Sequence, residues 1–344
     1  MLLIGIDEAG YGPKLGPLCH GYCALRCPDE PRGAPPDLWA MLHPAVMRHP
    51  ASPGSVTVDD SKKIYAGAGG RDSRSRGSGL DLLARGVSAF LCGMGVSPMS
   101  APPPHSAALY DHLLPDHDRR RLEEDPWGRH ATPPPAPRRG RREAPAEGSP
   151  GGPASVHAVR DALQTRRVRV LALGARALSA RHFNAAVQSG RNKAEVSWGV
   201  IAEQLRGLLA LAEAGESIHA VVDRQGGRKF YAGNVGPLFP GAMAWVEAET
   251  PRASVYRIEA ADRVARIAFV VNAESEALPV ALSSMTAKLV RELCMQRFNA
   301  FFRSHLPALA PTAGYPGDAV RFLNETRSLR QALAIPDDAL IRIK

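Results

Sequence analysis

The chain has 344 residues, enough for one large domain or two ordinary ones, and 44% of them are hydrophobic, so a sizeable core can form. The net charge of +9 suits a polyanionic partner. No apolar run is long enough to span a bilayer, and acidic residues at positions 7 and 8 are atypical of a signal peptide. We therefore expect a cytoplasmic protein without membrane contact.

The first apolar run contains Leu2, Leu3, Ile4 and Ile6 and predicts a buried strand. Two carboxylates, Asp7 and Glu8, stand where it ends, and a glycine-rich turn, Gly10–Pro13, follows. Carboxylates on a rigid strand end suit Mg²⁺ or Mn²⁺, and glycines let backbone N–H groups approach a phosphate. On these residues alone, a solvated strand end with an ordinary turn explains the pattern better.

A second strand is predicted within residues 18–26, which gives a hairpin-like start to the chain. It carries Cys19, His20 and Cys23, and Cys27 follows, a set that raises the question of zinc. Positions i and i+4 of a strand lie about 13 Å apart, whereas a Zn–S bond is about 2.3 Å. We therefore interpret these cysteines as reduced core residues.

Residues 28–54 are rich in proline, with a short helical patch around Leu38–Met47. Val56-Thr57-Val58 leads into Asp60-Ser61-Lys62-Lys63, whose lysines alone indicate plain surface charge. Residues 66–79 contain mostly Gly, Ser and Arg and predict a flexible connector. Apolar residues then recur at helical spacing and predict an amphipathic helix over residues 80–92.

From Ser97 to Pro153 the composition changes to proline and arginine, as in Pro133-Pro134-Pro135 and Arg138-Arg139-Gly140-Arg141-Arg142. Such sequence buries little apolar area. We interpret residues 97–153 as a mostly disordered insertion, interrupted by a helical fragment around Asp118–Glu124 and dispensable for folding. Contact of its arginines with nucleic acid and a solvated linker both stay open, and the linker is favoured.

The second half predicts helices and strands in alternation. Helices are predicted at residues 156–165, Ala180–Gln188, Ala194–Ala214, Pro279–Ser304 and Asp318–Ala334. Strands are predicted at Val168–Leu173, Ser217–Val222, Met243–Val246, Val255–Ile258 and Ile267–Val271, with a last extended piece at Ala339–Ile343.

Several short motifs, taken in order, resemble those of the type 2 ribonucleases H, the ribonuclease HII and HIII family. The matching residues are Asp7-Glu8-Ala9-Gly10-x-Gly12-Pro13, Gly16-Pro17, Asp60-Ser61-Lys62-Lys63, Val221-Val222-Asp223, Glu274 with Ser283-Ser284-Met285-Thr286-Ala287-Lys288, and Gly314-Tyr315-Pro316. The resemblance covers about 1–63 and 156–325. It implies an α/β ribonuclease H-like fold with a mixed central sheet flanked by helices. Residues 1–96 and 154–344 would be its two parts, separated by the insertion and followed by a C-terminal extension.

The resemblance also implies a chemistry. Asp7, Glu8, Asp223 and Glu274 would hold Mg²⁺ or Mn²⁺, with two ions about 4 Å apart, and hydrolyse the RNA strand of RNA–DNA hybrids. The products would carry a 5′-phosphate and a 3′-hydroxyl, and we expect a monomer. The expected substrate contacts are Gly10, Tyr11, Gly12, Lys62, Lys63, Asn192, Lys193, Lys288 and Tyr315. A non-catalytic nucleic-acid-binding protein of the same fold, and a nuclease acting on DNA alone, remain alternatives.

Some residues depart from the family pattern. Tyr11 stands where the HII branch has arginine, and Arg224 replaces the glycine after the third acid. Glu274 as the fourth acid and Asn192-Lys193 at a helix start resemble the HIII branch. Because Tyr11 lacks the charge and donors of arginine, the sequence predicts faster cleavage within RNA tracts than at a lone ribonucleotide.

Overall fold

The computed structural model describes residues 1–30, 33–48, 52, 54–67, 79–95, 107–130, 153–260 and 263–343. Its strands are β1 (Leu2–Ala9), β2 (Leu18–Arg26), β3 (Val46–Met47), β4 (Val56–Thr57), β5 (Arg169–Leu178), β6 (Ile218–Asp223), β7 (Met243–Glu249), β8 (Ala253–Ala260) and β9 (Arg263–Val270). Its α-helices are α1 (Leu38–Leu42), α2 (Ser61–Gly67), α3 (Gly79–Gly93), α4 (Ala107–Leu113), α5 (Asp116–Leu122), α6 (Pro153–Thr165), α7 (Ala180–Gln188), α8 (Lys193–Leu209), α9 (Ala232–Val235), α10 (Leu278–His305), α11 (Pro316–Glu325), α12 (Arg327–Ala332) and α13 (Asp337–Leu340). Two 3₁₀ turns occupy Gly236–Leu238 and Ala273–Ser275.

The main sheet has the order β5-β2-β1-β6-β9-β8-β7. Strand β1 is antiparallel to β2 and parallel to β6, and β6 is parallel to β9. The parallel strands β1, β6 and β9 therefore end at the same edge of the sheet. Strands from both predicted parts of the chain pair in this one sheet, which is the predicted mixed α/β architecture.

Each face of the sheet carries its own apolar core. On one face, Leu3, Cys19 and Cys23 pack with α3, α6 and α10. On the other face, Leu2, Ile4 and Ile6 pack with residues of α8 such as Leu205. Since side chains alternate along a strand, this split follows from the β1 sequence itself. The interpretation of Cys19, Cys23 and Cys27 as buried core residues is confirmed.

Two glycines bring α10 unusually close to the sheet. A Cβ atom on Gly5 would lie 2.2 Å from the backbone carbon of Pro279, and one on Gly21 would lie 1.9 Å from the carbonyl oxygen of Ser283. Only glycine permits this backbone approach. The close contact places the first turns of α10 directly over the middle of β1 and β2.

Most predicted elements are present, with corrected boundaries. Helix α7 begins and ends as predicted, whereas β5 extends to Leu178. The predicted helix at Asp318–Ala334 is two helices, because the backbone leaves helical geometry at Thr326 (φ −96°, ψ 0°). The Thr326 hydroxyl donates to the carbonyl of Phe322 at this junction. The predicted extended piece at Ala339–Ile343 begins instead as the last residues of α13.

Residues 107–130 contradict the interpretation of the insertion. Leu109, Tyr110 and Leu113 of α4 are buried in the main core. Asp118 of α5 accepts hydrogen bonds from the Arg176 Nε (2.8 Å) and the Ala177 amide (2.9 Å) of β5. We therefore expect these residues to stabilise the fold, whereas the dispensability of the whole segment stays a prediction. Flanking proline and arginine lowered the average hydrophobicity of a segment whose apolar residues lie at helical spacing.

The rest of the insertion and most of the predicted connector at 66–79 lie outside the described residues. Within the described ranges, no helix combines the length and the apolar character that crossing a membrane requires.

Candidate active site

The carboxylates predicted from the motifs lie at one edge of the sheet. Asp7 and Glu8 are near the end of β1, Asp223 is the last residue of β6, and Glu274 follows β9. Ile6 pairs with Val222, so Asp7 and Asp223 follow adjacent residues on parallel strands. Sheet topology thus brings together residues that are far apart in sequence.

Three of the four acids form a compact group. One carboxylate oxygen from each of Asp7, Glu8 and Asp223 lies within 4.8 Å of the others. Glu274 is outside this group, but it is buried, and its charge raises the pKa of the other three carboxyls. The site therefore consists of three closely grouped carboxylates, with the Glu274 carboxylate near enough to interact with their charges.

A left-handed residue shapes the approach of Glu274. Asn272 has φ 56°, a conformation that asparagine tolerates better than most residues. The turn aims the Ala273 amide at Asp223, whose Oδ1 accepts its hydrogen bond at 3.1 Å. Glu274 is the next residue, so the turn that holds Asp223 also delivers the fourth carboxylate.

Burial and mutual repulsion raise the pKa of all three grouped acids. Burial, and then the charges of Glu8 and Asp223, raise the pKa of Asp7 well above its ordinary value of 3.8. Burial and the charge of Asp223 raise the pKa of Glu8 to about 7. Burial and the charge of Glu274 raise the pKa of Asp223 to about 6. Such clustering is costly unless positive charge is placed among the carboxylates.

The donor set fits a hard divalent cation. All the groups are carboxylates, the ligand type that Mg²⁺ and Mn²⁺ prefer. Glu8 Oε2 is buried and has no hydrogen-bond partner within the described part of the protein. An unpartnered buried carboxylate oxygen on a member of this acidic group is the kind of atom that a cation would satisfy.

The Asp60-Ser61-Lys62-Lys63 motif reaches this site through α2. The Ser61 hydroxyl lies 3.0 Å from that of Ser284 on α10, and the Ser284 side chain hydrogen-bonds Asp7. Burial lowers the pKa of Lys62, but the charges of Asp60, Asp7, Glu274 and Asp223 together raise it above its ordinary value. Lys62 therefore carries a positive charge beside the acids.

Lys63 points elsewhere. Its Nζ lies 3.6 Å from Asp59, and its side chain is exposed. Neighbouring residues on a helix project about 100° apart, so only one of the two lysines can face the acids. The structure brings Lys62 and not Lys63 to the acidic group.

The glycine-rich turn lies beside the acids. Gly10 has φ +90°, and a Cβ there would lie 2.5 Å from Arg291 Nε, so this position requires glycine. Gly12 is exposed, and a Cβ atom added there would have no other atom within 4 Å. Burial, and then the charge of Glu8, raise the pKa of Tyr11, which places its hydroxyl in the field of the acids.

Lys193 and Tyr11 form one unit. Lys193 Nζ lies 4.1 Å from the centre of the Tyr11 ring and donates a hydrogen bond to the Tyr11 carbonyl. Asn192 caps α8, since its Oδ1 accepts from the Glu195 amide at 3.0 Å while the Glu195 side chain accepts from the Asn192 amide. The cap fixes the start of α8 and thereby places Lys193 over the turn.

Lys288 is neutralised locally. Its Nζ lies 2.7 Å from Glu292 Oε1 and 4.5 Å from the centre of the Tyr65 ring. Tyr315 is 52% exposed, and the Gly314 carbonyl before it accepts hydrogen bonds from the Lys14 and Leu15 amides. Tyr315 thus stands beside the glycine turn, whereas Lys288 is held by its own helix.

Two of the departures acquire a structural explanation. The Arg224 guanidinium turns away from the acids and donates to the carbonyls of Thr250 and Pro251 and to the Ser254 hydroxyl. It ties the end of β6 to the β7–β8 hairpin. The positive charge that Tyr11 cannot provide is supplied at the same turn by Lys193.

Solved structures similar to the chain include ribonucleases HII and HIII. Ribonuclease HII of Archaeoglobus fulgidus, solved with PCNA, is 14% identical, with 100% of this chain and 95% of that chain covered and a TM-score of 0.39. Ribonuclease H2 of Pyrococcus horikoshii OT3 is 12% identical, with 99% and 92% covered and a TM-score of 0.39. Bst-RNase HIII, solved with Mn²⁺, is 14% identical, with 100% and 66% covered and a TM-score of 0.38.

No protein-family model matches the chain, and no curated protein sequence matches it.

Sequence reasoning missed a buried polar network behind the acids. His20 Nε2 lies 2.7 Å from the Ser197 hydroxyl, which also accepts from Gln225 Nε2. His20 and Ser197 are fully buried, and burial lowers the pKa of His20 to about 3. This serine–histidine pair cannot meet a substrate and is structural. Its members come from β2, α8 and the loop after β6, and no local pattern links them.

Proposed function

We propose that the protein is a metal-dependent endonuclease that hydrolyses the RNA strand of RNA–DNA hybrids. The observation that carries the proposal is the group of Asp7, Glu8 and Asp223, with one carboxylate oxygen of each within 4.8 Å of the others, beside a glycine turn. Glu8 Oε2 is in addition buried without a hydrogen-bond partner in the described part of the protein. The ordered match to the motifs of type 2 ribonucleases H supports the substrate class. The net charge of +9 is consistent with a nucleic acid.

Asp7, Glu8, Asp223 and Glu274 would hold Mg²⁺ or Mn²⁺. The bound ions would supply Lewis acidity for activating a water and for stabilising the leaving 3′-oxygen, with a 5′-phosphate and a 3′-hydroxyl as product ends. The chain itself orients these carboxylates. Ser284 fixes Asp7, and the Ala273 amide fixes Asp223.

Other residues would bind the nucleic acid. Lys62 adds positive charge next to the acids, and Lys193 adds it over the turn. Tyr11, with Lys193 above its ring, offers an aromatic face beside Gly10 and Gly12. Tyr315 is exposed on the neighbouring segment. Lys63 and Lys288, which pair with Asp59 and Glu292, would contribute less.

The experiment compares three labelled substrates, an RNA–DNA hybrid, a DNA duplex and single-stranded RNA, with Mg²⁺, with Mn²⁺ and with EDTA. Metal-dependent internal cuts in the RNA of the hybrid are expected. Hybrid binding without any cleavage would favour the non-catalytic alternative, and cleavage of the DNA duplex alone would favour a DNA nuclease. Cytoplasmic location and a monomeric state remain predictions.

A further inference from the structure

The glycine turn is held from inside by cations that come from distant parts of the chain. The Arg342 guanidinium, near the C-terminus, donates to the carbonyls of Gly10 and Pro13. Arg291 of α10 donates to the carbonyl of Leu15 at 3.4 Å. Lys193 of α8 donates to the carbonyl of Tyr11. The carbonyls of Gly10, Tyr11 and Pro13 in the turn, and that of Leu15 just after it, thus point at buried or half-buried positive charges.

Arg342 is the most unusual of the three. The residue is only 5% exposed, and it makes no ion pair with any carboxylate in the described ranges. Its Nε and Nη1 are buried without a hydrogen-bond partner. A buried charge of this kind is costly unless its surroundings compensate it. The compensation visible here comes from the turn carbonyls and from the Phe183 ring, whose centre lies 5.5 Å from the guanidinium carbon. The hydrogen bonds to the carbonyls make the guanidinium and the turn structurally dependent on each other.

The tail that carries Arg342 is itself fixed. Its amide donates to the Lys14 carbonyl at 2.9 Å, and Ile341 forms a bridge with Leu15. The Asn184 side chain on α7 donates to the carbonyls of Asp338 and Ile341 and accepts from the Ile343 amide at 2.9 Å. The Arg342 guanidinium therefore donates its hydrogen bonds to the turn from a segment that is itself anchored by hydrogen bonds.

The direction of the carbonyls decides the direction of the amides. In a trans peptide, the C=O of one residue and the N–H of the next point in opposite directions. Because the Gly10 carbonyl points at Arg342, the Tyr11 amide points away from it, and the Gly12 amide likewise points away from Lys193. Neither amide donates to a backbone or side-chain acceptor in the described part of the chain. Both remain available to an anion.

We infer that Arg342 is a positioning residue that presets the glycine turn for a phosphate of the nucleic-acid substrate. It acts through the backbone of Gly10 and Pro13 and not by touching the substrate. The inference rests on the proposed function, since the phosphate is that of the hybrid. Its distinguishing consequence is weaker substrate binding with intact metal chemistry.

The test compares Arg342→Gln and Arg342→Lys with a control, Arg303→Gln, which changes an exposed arginine on the last turn of α10. For Arg342→Gln we expect KM for the hybrid to rise about tenfold or more, with kcat and the metal concentration for half-maximal activity within about twofold. Arg342→Lys keeps the charge with fewer donors and should recover part of the loss. The control should behave as the wild type. An unchanged KM in Arg342→Gln overturns the inference.

Hydrogen exchange provides a readout that needs no activity. The amides of Lys14 and Leu15 donate to Gly314 and should be protected in the wild type. In Arg342→Gln their exchange should quicken, while the amides of β1 and β6 keep their protection. Equal loss of protection throughout the sheet would show a general structural role and overturn the inference. If the wild type neither cleaves nor binds the hybrid, the proposed function fails, while the exchange data still decide whether Arg342 holds the turn.

Discussion

The acidic group makes a prediction that can be tested without any substrate. Asp223→Asn removes one of the crowded charges and keeps an oxygen that can accept from the Ala273 amide. The pKa of Asp223 is raised from 3.8 to about 6 in the folded protein. At about 1.4 kcal/mol per pH unit, ionising this carboxyl costs the metal-free protein about 3 kcal/mol at pH 8. Because the neighbouring acids change their protonation when one charge is removed, we expect the free energy of unfolding of Asp223→Asn to exceed that of the wild type by about 1–3 kcal/mol.

The sign of the pH dependence follows from the direction of the pKa shift. A carboxyl whose pKa is raised on folding binds more protons in the folded than in the unfolded state, so stability falls as pH rises through this interval. For Asp223 the interval runs from 3.8 to about 6, and for Glu8 it runs from 4.5 to about 7. The difference in unfolding free energy between Asp223→Asn and the wild type should therefore be largest at pH 8 and become smaller toward pH 4.

The assay is urea unfolding in EDTA at pH 8 and at pH 4.5, repeated with Mg²⁺ or Mn²⁺ at pH 8. The matched control is Asp161→Asn, an exposed acid on α6 that is remote from the group in sequence. Metal should stabilise the wild type more than Asp223→Asn, because the wild type offers the complete set of ligands. Two results would refute the account of the acidic group. One is that Asp223→Asn is less stable than the wild type at pH 8 without metal. The other is that metal raises the unfolding free energy of Asp223→Asn as much as that of the wild type.

Three further outcomes are expected. Asp118→Ala should destabilise the protein by about 3 kcal/mol in the same urea assay, because the half-buried Arg176 and the Ala177 amide lose a buried acceptor. A change below about 0.5 kcal/mol, the effect of an ordinary surface substitution, would show that residues 107–130 do not brace the sheet. Gly10→Ala should lower hybrid affinity, measured by fluorescence anisotropy, far more than Gly12→Ala. The reason is that a Cβ atom at position 10 would clash with Arg291 and with the Pro17 carbonyl, whereas one at position 12 has open space. Equal effects of the two substitutions would contradict this expectation. In duplexes with one, four or all ribonucleotides in one strand, cleavage should be faster within RNA tracts, and Tyr11→Arg should raise cutting at a lone ribonucleotide; equal or faster wild-type cutting of the lone ribonucleotide would overturn this preference.

The sequence was most informative where local pattern and chemistry coincide. The apolar run in β1 predicted a buried strand, and the carboxylates at its end, together with the ordered motifs further along the chain, predicted a cation site. The helical spacing in α3 and α10 was equally clear, because long apolar periodicity leaves few alternatives. Parallel pairing of β1, β6 and β9 then places Asp223 beside Asp7, a consequence of topology that no local window contains.

The features that sequence reasoning missed depend on long-range packing. Arg342 looks like a surface residue in a charged tail, and only the fold places it under the glycine turn. Asp118 looks solvated until β5 supplies Arg176. Lys62 and Lys63 cannot be distinguished in the sequence, but the orientation of α2 directs Lys62 toward the acidic group and Lys63 toward Asp59. In each case the partner lies far away in the chain, so composition and spacing could not identify it.

The most direct test of the central claim is cleavage of a labelled RNA–DNA hybrid by the wild type and by Asp7→Asn over a range of Mn²⁺ concentrations, with analysis of the product ends. The account predicts that the wild type cuts the RNA strand only when metal is present and leaves 5′-phosphate and 3′-hydroxyl ends. It predicts that Asp7→Asn still binds the hybrid but does not cut it, since other phosphate contacts persist. Cleavage by the wild type in EDTA, or undiminished cleavage by Asp7→Asn, would contradict it.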